Sequence, residues 1–204
     1  MTDWTSLTYV VVDVEGNGAQ PPDLVELAVV PIYGGVIGEP VSWLVKPEQP
    51  ITHFARKIHS ITNDDVADAP AFEDVKPAVL DALNGHGLKA DGLIAHNAHV
   101  DVGVLQRKLG DWECPEIFDT LKLARRLLPD SDSYKLGALV EAFKLAEGLP
   151  NVPAVLAPHR ATYDALVTAR LFVRLATLPD TRPLTLEELR GTPGGGDDDT
   201  PALF

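Results

Sequence analysis

The chain has 204 residues and a mass of 22.0 kDa, with 45% hydrophobic and 23% charged residues, which fits one soluble globular unit with a sizeable core. Thirty acidic residues against 17 basic ones leave a net charge of −13. That argues against a protein gripping nucleic acid by bulk charge, but not against an enzyme that holds a chain end through local groups. No apolar run approaches a membrane span, Met1-Thr2-Asp3-Trp4 lacks the pattern of a signal peptide, and the lone Cys114 has no partner for an internal disulfide. The expected compartment is therefore the cytoplasm, with no membrane partner.

Leu7 to Val14 reads as the first strand, Asp23 to Ile32 as a second and Val36 to Lys46 as a third, with turn chemistry at Tyr33-Gly34-Gly35. Short links between the three predict an antiparallel meander. Pro47 to Ala69 is polar and irregular, with Asn63 placed to cap a short turn through Val66. From Phe72 the spacing of Val75, Val79, Leu80 and Leu83 is helical, with Pro77 expected to offset it and Gly85 and Gly87 to end it. Gly92 to Ala95 is a short buried strand, followed by a helical stripe of Val100, Val104, Leu105 and Leu109 facing the core. A strand at Glu116 to Phe118 leads through Asp119-Thr120 into a helix ending before Pro129. Ser133 precedes a helix over Leu136 to Phe143, a proline loop spans Leu149 to Pro158, and Arg160 to Leu178 is the last strong helix. A meander followed by alternating strands and helices predicts a mixed α/β sheet with helices on both faces.

The chemistry concentrates where Tyr9-Val10-Val11-Val12 runs into Asp13-Val14-Glu15. Residues two apart in a strand share a face, so both carboxylates project together from the end of a buried strand. Two like charges there need a cation between them, and hard oxygen donors suit Mg²⁺ or Mn²⁺. Asp101 lies in the first turns of the helix after His96-Asn97-Ala98-His99-Val100, where an ordinary acid would simply favour the helix dipole. Asp164 follows His159 by five residues at the start of the last helix. Four carboxylates can hold two divalent ions roughly 3.5–4 Å apart, and a neutral imidazole can take a proton from an attacking water.

These three segments resemble the Exo I, Exo II and Exo III motifs of the DnaQ-like 3′–5′ exonucleases of the DEDDh subgroup. Val12-Asp13-Val14-Glu15 matches the first, His96 to Asp101 the second and His159-Arg160-Ala161-Thr162-Tyr163-Asp164-Ala165 the third. Ile58-His59-Ser60-Ile61-Thr62 and Phe118-Asp119-Thr120 are similar to subsidiary segments of that family. The resemblance covers roughly residues 7–178 and implies an RNase H-like fold with a central mixed five-stranded sheet. It implies hydrolysis from a 3′ end of DNA or RNA with release of nucleoside 5′-monophosphates. Asp13 would bridge two Mg²⁺ or Mn²⁺ ions, Glu15, Asp101 and Asp164 would complete their coordination, and His159 would be the general base. Leu24, Ile58 and His59 would line a pocket for the terminal base. Asn97 is a candidate to position the phosphate, to brace the second motif or to cap a helix, and Arg160 is a candidate for a phosphate contact or a structural role at the helix start.

The chain departs from the family at Gly16, where many relatives have Thr, and at Val100, where many have Phe. A glycine N–H at position 16 could still approach the terminal sugar. Lys122, Arg125 and Arg126 form a basic stretch that reads first as a solvated helical face. Residues 1–180 are expected to be the exonuclease domain and 181–204 an extension, flexible and acidic from about 191. Its Asp197-Asp198-Asp199 and Pro201-Ala202-Leu203-Phe204 resemble tails that dock replication or repair proteins. Two other readings are a non-catalytic accessory module of a replication or repair complex and a phosphodiesterase for small nucleotides. The accessory reading is weakened by the intact set Asp13, Glu15, Asp101, His159 and Asp164.

Overall fold

A computed structural model describes residues 3–87, 89–150, 155–178 and 182–191. Strand β1 (Thr8–Gly16) runs antiparallel to β2 (Leu24–Tyr33), in register from Thr8 opposite Tyr33 to Glu15 opposite Glu26. The register shifts between Glu15 and Gly16, so the strand pair ends in an irregularity beside the acids. The other edge of β2 pairs with two short strands, β3 (Val36–Ile37) and β4 (Val41–Leu44). The single strand expected over Val36 to Lys46 is therefore broken at Gly38-Glu39-Pro40, where Pro40 has no N–H for a ladder and Gly38 N–H donates to Pro31 C=O at 2.8 Å.

Strands β5 (Gly92–Ala95) and β6 (Glu116–Asp119) extend the sheet parallel to β1. The sheet has six strands but is five positions wide, because β3 and β4 share one side of β2. That is how the expected five-stranded mixed sheet and the observed count fit together.

Alternation along β1 separates two cores. Tyr9 and Val11 pack with Ala28, Val30 and Ile32 of β2 against α4 (Thr120–Leu127), α5 (Leu136–Phe143) and α6 (Ala161–Ala176). Val10 and Val12 pack with Leu27, Val29 and Leu93 against α2 (Phe72–Leu83) and α3 (His99–Leu109). Pro77 lies within α2, which continues past it to Leu83.

The segment read as irregular contains a helix, α1 (His53–His59), capped by Thr52, whose hydroxyl accepts the Ala55 N–H. Asn63 does not cap a turn through Val66. Its Oδ1 accepts the Ile51 N–H at 2.8 Å, and Asp65 closes the turn on the Thr62 N–H. Val100 was expected to face the core and is 45% exposed, while Val102, Val104, Leu105 and Leu109 are buried. The inward place in the first turn of α3 belongs to Asp101, which is 5% exposed.

Residues 182–191 pack back on the domain through α7 (Leu186–Arg190), with Leu184, Leu186 and Leu189 buried in the α6-side core. Arg126 binds the carbonyls of Glu188 and Leu189, and Arg190 forks onto Glu116 at 2.7 and 2.8 Å. The acidic stretch and apolar tip at 197–204 lie outside the described residues. No helix among the described residues is long and apolar enough to cross a membrane.

Candidate active site

The face of β1 that buries Tyr9 and Val11 continues into Asp13 and Glu15. On β2 the same face carries Ala28 and then Glu26, directly opposite Glu15. Helix α6 crosses this face, and its first turn brings Asp164 to the acids of β1. Carboxylate oxygens of Asp13, Glu15 and Asp164 lie within 4.8 Å of one another.

Asp101 comes from α3, which packs on the opposite face of the sheet. Its Oδ1 accepts the backbone N–H of Val14 at 2.9 Å, so it is tied to the residue between Asp13 and Glu15. Three of the four expected ligands thus offer one shared point, and the fourth is fastened to the strand end beside it.

The electrostatics of this group are those of acids crowded together. Burial, followed by the charges of Asp101, Asp164, Glu15 and Glu26, holds the Asp13 carboxyl well above the usual range. Burial and the charges of Asp164, Glu26 and Asp101 push Glu15 up to about 9. Burial raises Asp101 to about 8 and Asp164 to about 7, against the hydrogen bonds that favour their ionised forms. Such a donor set, all oxygen and short of compensating charge, fits hard divalent cations.

Arg160 is forked onto Glu26, with Nε donating to Oε2 at 3.0 Å and Nη2 to Oε1 at 2.5 Å. Ala161 N–H also donates to Glu26 Oε2, at 2.9 Å. The phosphate contact considered for Arg160 thus competes with an ion pair to a carboxylate that is 3% exposed. Glu26 itself went unrecognised in the sequence. The available signal was a lone charge inside the apolar run Leu24-Val25-Glu26-Leu27-Ala28-Val29-Val30.

His159 is exposed at the mouth of this group, in a left-handed conformation with φ 62°, and its N–H donates to Asp164 Oδ2 at 3.2 Å. His59, by contrast, is 2% exposed. Its Nδ1 accepts the Ile61 N–H at 3.0 Å, which leaves the proton on Nε2 to donate to the Gly16 carbonyl at 3.2 Å. Burial lowers its pKa and keeps it neutral. His59 therefore braces the chain just after Glu15.

Leu24 is 1% exposed in the core on the α2 and α3 side of the sheet, and Ile58 is 38% exposed on α1. At Gly16 a Cβ would stand 3.1 Å from Cβ of Pro22. The absence of the relatives' Thr is matched here by a proline ring in that space.

Asn97 adopts φ 69°, and its N–H and that of Ala98 are both held by the Asp119 carboxylate, at 3.0 and 3.1 Å. The same carboxylate caps α4 through the Leu121 N–H at 2.9 Å. Asp119 thus fixes the turn that launches α3 and Asp101, a task the sequence reading had not assigned to it. Asn97 lines an open cleft of about 790 Å³, together with His99, Lys122 and Arg125. Lys122 and Arg125 are exposed there, while Arg126 is engaged with α7.

The RNase T exonuclease family matches residues 10–172. The chain belongs to this exonuclease family. Exodeoxyribonuclease 10 of Escherichia coli strain K12 is 36% identical over 183 residues, which cover 90% of this exonuclease and 75% of that protein. A PolC-type DNA polymerase III of Caldanaerobacter subterraneus is 33% identical over 172 residues, covering 82% of this chain and 11% of the polymerase. The solved structure of exonuclease X in complex with 5′ overhanging duplex DNA is 34% identical with a TM-score of 0.68, covering 90% of this chain and 99% of that one. The resemblance to DnaQ-like exonucleases and the RNase H-like fold are borne out.

Proposed function

We propose that this exonuclease hydrolyses phosphodiester bonds stepwise from the 3′ end of a nucleic acid, releasing nucleoside 5′-monophosphates. The observation that carries this reading is the convergence of Asp13, Glu15 and Asp164 within 4.8 Å in a chain of the exonuclease family. DNA is the favoured substrate over RNA, because an exodeoxyribonuclease 36% identical and an exonuclease 34% identical in complex with duplex DNA each match 90% of this chain.

In this reading Asp13, Glu15, Asp101 and Asp164 would hold two divalent ions, Mg²⁺ or Mn²⁺. The ions, when bound, supply Lewis-acid stabilisation of the phosphoryl oxygens and a more acidic water. His159, exposed and next to Asp164, takes the proton of the attacking water as its oxygen bonds to phosphorus and the bond to the leaving 3′ oxygen breaks. Asp164 ties the backbone of that base to a metal ligand. Gly16, braced by His59, offers its backbone to the terminal sugar, and Asn97 lines the neighbouring cleft, whereas buried Leu24 and the Glu26-paired Arg160 support the site from behind.

The catalytic unit spans residues 1–180, and 181–204 is an extension whose described part, 182–191, rests on that unit. We assign its acidic and apolar end, 197–204, to docking of a replication or repair protein. Deleting 196–204 should abolish recovery of that partner in a pull-down and leave nuclease activity intact.

The test of the activity is a time course on 5′-labelled single-stranded DNA and RNA with Mg²⁺, with Mn²⁺ and with chelator, beside Asp13→Ala and His159→Ala. A metal-dependent ladder that shortens from the 3′ end, faster on DNA, lost in Asp13→Ala and slowed roughly a hundred- to ten-thousandfold but still measurable in His159→Ala, is the expected result. No ladder from a folded protein would return the chain to the accessory-module reading.

A further inference from the structure

Helix α6 has an unusual start. Its N-cap residue is Arg160, whose side chain cannot accept a hydrogen bond from the first turn. The acceptor comes instead from β2, where Glu26 Oε2 takes the Ala161 N–H at 2.9 Å. The same carboxylate receives the Arg160 fork through Nε and Nη2. Glu26 is 3% exposed, so three charge-assisted bonds act in a place largely closed to water.

These bonds fall on residues 160 and 161. One residue earlier stands His159, held at φ 62°, a conformation that a non-glycine residue keeps only when its surroundings enforce it. Three residues later stands Asp164, whose backbone N–H donates to the Arg160 carbonyl at 3.0 Å and whose Oδ2 accepts the His159 N–H at 3.2 Å. The segment bearing His159 and Asp164 is therefore pinned at two points, by Glu26 from the sheet and by Asp164 from its own helix.

Glu26 also sits opposite Glu15 on the same sheet face. A carboxylate there without a cation would be a further like charge against Asp13 and Glu15, both of which feel it. The Arg160 fork turns that charge into a fixed point.

We propose that Glu26 and Arg160 form a positioning clamp for the general base, setting the His159 loop against the carboxylates of β1. Neither residue touches the reacting atoms. Glu26 acts through Arg160 and Ala161 on the adjoining His159. This inference rests on the proposed role of His159.

The experiment is a double-mutant cycle on the full chain, measuring kcat and KM on a single-stranded oligonucleotide for the parent, Glu26→Gln, His159→Ala and the double variant. Glu26→Gln keeps an acceptor for Ala161 and weakens the fork. Its kcat should fall roughly ten- to a hundredfold, the size expected for a small displacement of a catalytic group, with KM little changed. In the His159→Ala background the same substitution should cost nothing further, because the group it positions is gone. Arg160→Lys, which keeps the charge and loses the fork, should follow the same pattern and replaces Glu26→Gln if that variant does not fold. Equal losses in both backgrounds would overturn the clamp and leave a general structural role. An unimpaired His159→Ala would instead overturn the reading of His159 as the base, a distinct failure.

Discussion

Asp101 Oδ1 accepts the N–H of Val14 at 2.9 Å, which joins a helix from one face of the sheet to the strand that carries Asp13 and Glu15 on the other. A charge and a hydrogen-bond acceptor are thus combined in one side chain, and substitutions separate them. Asp101→Asn keeps an acceptor for Val14 and removes the charge, so turnover should fall by about two to three orders of magnitude. Asp101→Ala loses both and leaves a buried N–H without a partner. In chelator it should be less stable than Asp101→Asn by about 1–3 kcal/mol in urea denaturation. Equal stability of the two variants would mean that the bond to Val14 contributes nothing.

The crowding of acids gives the metal-free protein an inverted pH dependence. Free carboxyls titrate near about 4, whereas burial and mutual repulsion raise Glu15 to about 9, Asp101 to about 8 and Asp164 to about 7. Between those limits the native state holds more protons than the unfolded chain. Stability contributed by these groups is then complete at low pH and is lost as pH rises through the folded values. Melting temperature in chelator should therefore decline from about pH 5 to about pH 9. Added Mg²⁺ needs the ionised carboxylates, so its stabilising increment should grow over the same range. Thermal melts with and without Mg²⁺ across this range check both slopes, and a flat profile in chelator would contradict the crowding.

The parts of the site that were legible in the sequence are those with a local pattern. Asp13 and Glu15 end an apolar run at a spacing of two, and the five-residue step from His159 to Asp164 opens a helix with a clear 3.6 period. Glu26 had no such pattern, because its partner Arg160 lies 134 residues away and only the sheet register brings them together. The break at Gly38-Glu39-Pro40 and the helix at His53–His59 were missed for a related reason. Both are short, and their decisive bonds, from Gly38 to Pro31 and from Ala55 to Thr52, carry little weight against surrounding composition. Val100 was misplaced because a stripe with period four also passes through it, while the buried position next to it was taken by a polar group with a specific partner.

His59 is a further case of a residue whose neighbours define its work. Its ring spans the Gly16 carbonyl and the Ile61 N–H, and a leucine in its place would strand both. His59→Leu should cost about 1–3 kcal/mol at neutral pH, read from the urea midpoint at constant slope. Because burial lowers the pKa of His59, the native state resists protonating it while the unfolded chain does not. The contribution of His59 is full above the unfolded value of about 6.5 and is lost as pH falls below it. The gap between parent and variant should accordingly narrow toward about pH 5. A gap that widens on acidification would show that His59 is charged in the fold.

The C-terminal helix α7 supplies the last test, because its buried leucines and the Arg190–Glu116 pair dock it while Arg126 satisfies the carbonyls near its end. Arg126 donates to the carbonyls of Glu188 at 2.5 Å and Leu189 at 3.1 Å, the end of a helix whose own capping box secures only its start through Thr185 and Glu188. A cation at a helix C-terminus contributes about 0.3–1 kcal/mol, a large share of what a five-residue helix has to lose. Arg126→Ala should raise hydrogen exchange at residues 186–190 with little change in global melting. Gly191→Ala should do the same by a different route, since Gly191 has φ 80° and a Cβ there would collide with the Arg126 guanidinium. Turnover on the labelled strand should stay at the parent level in both variants, because α7 lies on β6 and α4 and contributes none of the carboxylates. A loss of activity in step with the loss of protection would instead make residues 182–191 part of the catalytic unit.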